Sequence, residues 1–262
     1  QKWDDKKAVA RDPSALEKYR TMLAEQIQYF KVTQYFFFKQ WTELKNYANQ
    51  KGIQIIGDMP IYVAADSVEV WTKPELFQLD EERNPLVVAG VPADQFSATG
   101  QLWGNPLYAW EEHKKQGYAW WIHRIEESFK IYDVLRIDHF KGFSDYWQVD
   151  GKAEVAKDGS WQPGPGYDLF KAVKEQLGDL PIIAEDLGNI DDKARKLLAD
   201  CNYPGMKILQ FGFEDVSGES LDSPHYCIPH SIVYTGTHDN DVTNGWYNSL
   251  TEQQQQYIND YT

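Results

Sequence analysis

Four acidic residues each follow a short apolar run, and their positions could support chemistry at a glycosidic bond. Asp58, Asp138, Glu185 and Asp239 each end a segment with the composition of a buried strand. Two carboxyl groups held across a sugar ring are the usual equipment for breaking such a bond. One is ionised and acts as nucleophile or base, and the other is protonated and acts as acid. Asp138, Glu185 and Asp239 are the candidate catalytic residues.

The sequence neighbours of three of these acids suggest a different role for each. Arg136 lies two residues before Asp138. Since residues i and i+2 of a strand share a face, the guanidinium can keep that carboxylate ionised, which suits a nucleophile. Glu185 follows the apolar residues 181–184, which can raise its pKa and so suit a proton donor. His238 precedes Asp239, and together they could hold sugar hydroxyls.

Each acid also has an ordinary structural interpretation. A strand-end acid is more often a helix cap or a partner in a loop salt bridge than a catalytic group, and Asp186 and Asp239 could both be caps. The spacing also fits other barrel enzymes, including metal-dependent hydrolases that use these His and Asp side chains. From spacing alone, carbohydrate chemistry is the leading interpretation and these alternatives stay open.

The segments that carry the acids alternate with helices. Apolar runs without clean alternation, typical of parallel strands buried on both faces, occur at 53–58, 133–138, 180–186, 206–211 and 231–239. Helical patterns occupy about 118–130, 167–178 and 191–201. Such alternation predicts an α/β fold with a parallel sheet. Because the acids follow the strands and no glycine-rich nucleotide-binding turn is present, we predict a (β/α)₈ TIM barrel.

Two further stretches complete the predicted architecture. Residues 1–52 are helical in pattern, with a start at Asp12-Pro13 and a stop at Gly52. The aromatic run at 35–38 is predicted to lie on a buried helix rather than to form a ligand platform. About eighty residues separate Asp58 from Asp138, too many for an ordinary loop. We therefore predict that residues 64–118 form an insertion, a subdomain over the active-site cleft.

Composition narrows the classes of partner. The net charge of −14 disfavours a nucleic-acid partner, because an acidic surface repels phosphates. No apolar stretch approaches the roughly 18 residues of a membrane helix, so no membrane association is predicted. Cys201 and Cys227 show no metal-binding spacing and favour a reducing, cytoplasmic setting. Aromatic residues make up 15% of the chain, which fits either a large core or stacking on sugar rings.

Five motifs, in order, resemble those of one known family. They are the segments 57–63 (GDMPIYV), 96–106 (FSATGQLWGNP), 136–140 (RIDHF), 184–188 (AEDLG) and 236–240 (GTHDN). Together they resemble the 4-α-glucanotransferases, also called amylomaltases or disproportionating enzymes. This family is glycoside hydrolase family 77, a branch of the α-amylase superfamily. The motifs cover nearly the whole chain.

The resemblance implies transfer of α-1,4-glucan segments between maltooligosaccharide donors and acceptors through a retaining double displacement. Asp138 would attack the anomeric carbon, Glu185 would act as acid and then base, and Asp239 would stabilise the distorted sugar. Seven residues would bind substrate: Asp58, Tyr62, Gln101, Trp103, Arg136, His139 and His238. No cofactor and no metal are expected. Many members carry Tyr where this chain has Gln95. Gln lacks the stacking face that Tyr would offer to a long glucan or at a secondary glucan site.

Members of the family are longer than this sequence, so we expect an incomplete barrel. Residues 1–262 would be part of a single catalytic barrel, with the five predicted strands matching about its third to seventh. Two alternatives to transfer remain: an α-glucan hydrolase of the same superfamily, and a catalytically inactive glucan-binding fragment. The oligomeric state and the preferred glucan length are left open.

Overall fold

A computed structural model describes residues 4–93, 97–188 and 190–261. In chain order the strands are β1 (Ile56–Met59), β2 (Val87–Val91), β3 (Gln101–Pro106), β4 (Val134–Ile137), β5 (Asp145–Asp150), β6 (Ser160–Pro163), β7 (Ile182–Ala184), β8 (Gly205–Ile208) and β9 (Ser231–Tyr234). The helices are α1 (Lys6–Val9), α2 (Pro13–Met22), α3 (Ala24–Gln50), α4 (Val68–Thr72), α5 (Trp110–Lys115), α6 (Ala119–Ile131), α7 (Tyr167–Leu177), α8 (Asp192–Cys201), α9 (Leu209–Gly212), α10 (Thr243–Ser249) and α11 (Glu252–Tyr261).

Five parallel strands, β1, β4, β7, β8 and β9, correspond to the five predicted strands, and the four predicted acids lie in or after all of them except β8. Hydrogen bonds join them in the orders β1-β4-β7 and β8-β9. The Ala184 N–H donates to the Pro204 carbonyl at 3.0 Å, which brings the start of β8 alongside β7. Neighbouring strands are therefore consecutive members of this series, and the predicted parallel α/β arrangement is confirmed. The strand predicted at 206–211 ends at Ile208, because the chain turns into α9 there.

The helices between these strands pack on the parallel sheet, and a hydrophobic core lies between them. The predicted helices at 118–130, 167–178 and 191–201 correspond to α6, α7 and α8. Ile125 of α6 and Phe170 of α7 are buried in one cluster with Leu135 and Ile137 of β4. Truncating a buried aromatic such as Phe170 to Ala typically costs about 3–5 kcal/mol. This packing fixes the strand ends, and hence the loops that follow them.

A second, antiparallel sheet has the order β3-β2-β5-β6. Two of its strands, β2 and β3, lie inside the predicted insertion at 64–118. The other two, β5 and β6, follow β4; β5 pairs with β2 through the register Val87↔Asp150, and β6 pairs with β5 at the edge of the sheet. The sheet is thus built from two separate parts of the chain, which the sequence pattern did not reveal.

The N-terminal helices begin and end where the sequence predicts. The Asp12 carboxylate accepts hydrogen bonds from the N–H groups of Ser14 and Ala15, with Pro13 in the first turn of α2. Helix α3 ends at Gln50, two residues before Gly52, which has a φ of 75°. Within the described residues, no helix is long and apolar enough to cross a membrane.

The predicted burial of the aromatic run on α3 is wrong in this structure. Residues 35–38 are each at least 50% exposed. Helix α3 contacts the rest of the chain along a narrow stripe, where the Trp41 indole donates to the Ile131 carbonyl at 2.7 Å and Lys45 donates to the Tyr132 carbonyl at 2.8 Å. Phe37 lies one turn before Trp41 on this stripe and stacks on its ring. The hydrogen bonds to the rest of the chain are nevertheless made by Trp41, Lys45 and Asn49, and residues 35–38 stay exposed.

Candidate active site

Strand pairing places Asp58 beside Arg136. The two residues are register partners on the parallel strands β1 and β4, so their side chains point to the same side of the sheet. Arg136 Nη1 donates to Asp58 Oδ1 at 2.6 Å and to Asp138 Oδ1 at 3.0 Å. Arg136 is only 8% exposed. One buried guanidinium therefore bridges two carboxylates from neighbouring strands.

The loops after β4 and β7 meet at the Glu185 carboxylate. Its Oε2 accepts the His139 N–H at 2.8 Å, and its Oε1 accepts the Leu187 N–H at 2.8 Å. His139 can direct its N–H this way because its backbone is left-handed, at φ 49° and ψ 51°. That conformation costs a non-glycine residue about 1–2 kcal/mol. Backbone strain of this kind is concentrated at active sites and ligand-binding sites.

The two central carboxyls are both less acidic than usual. Burial raises the pKa of Glu185, and the charge of Asp138 adds to this effect, while the Leu187 and His139 N–H groups oppose it. Burial also raises the pKa of Asp138. Arg136 lies beside Asp138 as the spacing predicts and lowers this pKa. Burial, together with the like charges of Asp58 and Asp239, outweighs that effect.

Asp239 and His238 lie on the loop after β9 and face solvent. Their side chains are 71% and 69% exposed, with His238 Nε2 3.4 Å from Asp239 Oδ2. Asp239 is still near enough to raise the pKa of Asp138. In the described part of the chain neither Asp186 nor Asp239 caps a helix, because α8 is capped by Asp191 and α10 has no side-chain cap. The predicted alternative that these two acids are caps is therefore wrong.

The β3 segment brings an indole against the loop after β4. The Trp103 ring meets the His139 ring edge-on, with centroids 4.9 Å apart, and its Nε1–H donates to Gln101 Oε1 at 3.1 Å. Burial lowers the pKa of His139 to about 4, so its imidazole is neutral near pH 7. Trp103 is 37% exposed. The ring centroids of Tyr62 and Trp103 lie 6.2 Å apart. Tyr62 is only 7% exposed and stacks on Tyr108 within the core.

A cavity of about 280 Å³ opens beside this cluster. Asp58, Arg136, Met206, Thr237 and His238 are among its lining residues. The volume is close to the lower end of the range for small-molecule sites. The structure thus brings Asp58, Arg136, Asp138, Glu185 and the His238-Asp239 pair to one end of the parallel strands. Gln95 lies outside the described residues.

Sequence reasoning missed two residues near this centre. Met206 Sδ accepts the Arg136 Nε–H at 3.3 Å, a contact for which a methionine in an apolar run gives no signal. Lys141 pairs with Asp191 at 2.7 Å and with Asp145 at 3.1 Å. Since Asp191 caps α8, Lys141 connects the loop after β4 to the start of that helix.

In the part of the chain that the structure describes, no group of three potential metal ligands forms at the strand-end acids. Among the described residues, one group of three could hold an ion: His123, Glu126 and Glu127 on α6. This group contains none of the strand-end acids. The geometry therefore gives the metal-dependent hydrolase alternative no support.

Comparison with known proteins agrees with the motifs. The family model described as 4-alpha-glucanotransferase matches residues 1–262. The chain belongs to this family. A 4-alpha-glucanotransferase of Streptococcus pneumoniae is 54% identical over 261 residues, covering 99% of this chain and 52% of the relative. One from Clostridium butyricum is 49% identical over 235 residues, covering 88% of this chain and 48% of the relative.

A solved structure shares the α/β fold of this 4-α-glucanotransferase family member. The amylomaltase from Streptococcus agalactiae, solved in complex with acarbose, superimposes with a TM-score of 0.97 at 61% sequence identity. It covers 99% of this chain, and the match spans 52% of that chain. The chain thus spans about half the length of the relatives it matches. The predicted family resemblance is confirmed.

Proposed function

We propose that this chain carries the reacting centre of a 4-α-glucanotransferase, which moves α-1,4-glucan segments between maltooligosaccharides. The observation that supports this best is the arrangement of Asp138 and Glu185. They follow the paired strands β4 and β7, and Glu185 is held by N–H groups from both loops. Its raised pKa suits an acid that must start protonated.

The proposed reaction has two displacements, as in retaining glycosidases. Asp138 attacks the anomeric carbon as the glycosidic C–O bond breaks, and Glu185 gives its proton to the departing oxygen. A covalent glycosyl–enzyme results. The 4-hydroxyl of an acceptor glucan then loses its proton to Glu185 and attacks the same carbon. This second attack releases the Asp138 carboxylate and restores the protonated Glu185.

Arg136 and the exposed polar residues would prepare the centre for substrate. The guanidinium opposes the rise in the pKa of Asp138 and so favours its ionised, nucleophilic form. Asp239 and His238 are exposed and can offer hydrogen bonds to the hydroxyls of the reacting sugar. Asp239 would also favour the positive charge that develops on the ring in the transition state.

The other residues predicted to bind substrate would have roles that depend on how exposed their side chains are. Trp103, which is 37% exposed, would stack its indole on a sugar ring, with Gln101 orienting the indole through its hydrogen bond. His139 would contribute a neutral ring to the cleft. Asp58 would contact the sugar while it accepts the hydrogen bond from Arg136. Tyr62 is nearly buried, so its contribution would be mainly to support Trp103.

Incubation of the protein with maltotriose tests the proposal. Transfer should give a ladder of longer maltooligosaccharides together with glucose. Shorter sugars alone would identify the hydrolase, and binding without turnover would identify a glucan-binding fragment. Asp138→Asn should abolish both reactions, whereas the control Asp179→Asn changes a side chain that is 85% exposed and should not affect them. A separation of about 5–5.5 Å between the Asp138 and Glu185 carboxyls in a substrate complex would fit retention.

We also propose the finer architecture and setting. The five parallel strands, joined in chain order, would form about the third to seventh strands of a (β/α)₈ barrel. Residues 64–118, together with the β5–β6 hairpin that pairs with them, would form one wall of the cleft. Cys201 and Cys227, both in the described residues, are unpaired, in keeping with a reducing cytoplasmic location.

A further inference from the structure

The orientation of Arg136 depends on contacts at both ends of its guanidinium. Nη1 already serves two acceptors, the Asp58 and Asp138 carboxylates. Nε–H points away from them and meets the sulfur of Met206 at 3.3 Å. Arg136 is 8% exposed and Met206 is 1% exposed, so the contact is shielded from bulk solvent and borders only the cavity of about 280 Å³. A buried donor without an acceptor is unfavourable, even where the acceptor it loses is a weak one such as sulfur.

Met206 is itself held in place from the adjacent loop. Its backbone N–H donates to Asp186 Oδ1 at 2.7 Å. The preceding residue, Gly205, is what permits this approach, because a Cβ there would lie 2.5 Å from Asp186 Oδ2. Asp186 directly follows Glu185 in the chain. The acid at the end of β7 is thus followed by a residue that fixes the start of β8.

We propose that Met206 is a positioning residue of the reacting centre, whose sulfur holds Arg136 so that Nη1 reaches both Asp58 and Asp138. Asp186 acts one step further back by fixing the backbone of Met206. The contact itself is independent of the reaction, but its kinetic consequence rests on the proposed function. Without the sulfur, the guanidinium turns toward other acceptors and its contact with Asp138 weakens.

Two substitutions separate the sulfur contact from simple packing. Met206→Leu keeps an apolar side chain of similar volume but removes the acceptor. Met206→Gln restores an acceptor, its amide oxygen, on a side chain of similar length. Met59→Leu is the matched control, because Met59 is also buried and its sulfur lies 3.9 Å from the Ser128 hydroxyl rather than near an arginine.

The first measurement needs no substrate. In ¹H–¹⁵N spectra of the full protein, the Arg136 Nε–H signal, assigned by its loss in Arg136→Lys, should exchange slowly with solvent. Met206→Leu should speed this exchange at least about tenfold, and Met206→Gln should restore most of the protection. Unchanged exchange in Met206→Leu would overturn the proposal. If that variant does not fold, norleucine incorporation removes the sulfur while keeping the side-chain shape.

The second measurement follows transfer between maltooligosaccharides. Met206→Leu should lower kcat about tenfold with little change in KM, and should move the acidic limb of the pH profile upward, because Asp138 loses part of its guanidinium contact. Met206→Gln should recover both, and Met59→Leu should stay close to the wild type. Equal losses in the Leu and Gln variants, with no movement of the limb, would mean that Met206 only fills space. A wild-type protein without transfer would refute the proposed function, while the exchange measurement would still decide the positioning role.

Discussion

The stability of the fold at acid pH should depend in part on the buried histidine His113. It is 1% exposed and lies among the rings of Tyr108, Trp110 and Trp120. Its Nε2 lies 3.1 Å from the Leu76 carbonyl oxygen. Because a carbonyl only accepts, Nε2 carries the proton in the neutral ring. Nδ1 has no hydrogen-bond partner within the described residues, so a second proton would be buried without an acceptor.

The magnitude follows from the shift in the pKa of His113. Burial lowers it from 6.5 to about 4 in the folded state. Above pH 6.5 the ring is neutral in both states and makes no pH-dependent contribution. As the pH falls toward 4, the unfolded state binds a proton that the folded state does not, so stability is lost. The full loss is about 3 kcal/mol, of which roughly 2 kcal/mol is lost by pH 5.

Denaturant unfolding of the wild type and of His113→Phe at pH 7.5 and pH 5 measures this loss. At pH 7.5 the variant should be less stable by about 1 kcal/mol, because the hydrogen bond to Leu76 is gone. On acidification the wild type should lose about 2 kcal/mol more than the variant, while the contributions of other titrating groups cancel in the comparison. His123→Gln, at a 68% exposed side chain, should follow the wild type. Equal pH dependence in the wild type and His113→Phe would refute the assigned burial of this ring.

Three further changes test the site and its supports. Glu185→Gln should lower transfer from maltooligosaccharides by about 10²–10⁴, yet should still form the glycosyl–enzyme from a glycosyl fluoride, whose leaving group needs no acid; equal loss with both donors would contradict its role. Lys141→Met should lower the free energy of unfolding by about 3–5 kcal/mol, because it leaves the nearly buried Asp145 carboxylate unpaired; a loss under about 1 kcal/mol would show that water reaches that group. Gly57→Ala should destabilise β1 by more than about 1 kcal/mol in the same unfolding assay, since its Cβ would lie 2.0 Å from the Tyr132 ring; a neutral effect would mean that the ring moves freely.

The sequence predicts the positions of the parallel strands well, and most clearly those of β4 and β7, whose apolar residues are buried along nearly the whole strand. It also predicts that Arg136 and Asp138 are neighbours, since a two-residue step in a strand determines a shared face. It does not predict the pKa of Asp138, which also depends on burial and on Asp58 from another strand. Sequence spacing says nothing about which residues face each other across a sheet.

Two other features depend on tertiary partners in the same way. The aromatic run at 35–38 has the composition of a buried helix, but burial depends on which surface covers it, and α3 makes its contacts through Trp41 and Lys45 instead. The antiparallel sheet needs β5 and β6 from beyond β4, and short strands give no signal of their partners. Met206 is a further case, because a methionine sulfur becomes significant only beside a particular donor.

The bridge between Asp58 and Arg136 also constrains the order in which the protein can fold. These residues are 78 positions apart, and the Trp41 contact with Ile131 spans 90. Closing loops of this length is entropically costly and slow, whereas helices such as α6 form from local contacts within microseconds. We therefore expect the charged centre to come together only after the chain between β1 and β4 has collapsed. Until then Arg136 would remain hydrated. The free-energy cost of burying its charge would therefore arise late in folding, when the carboxylates of Asp58 and Asp138 can both pair with it.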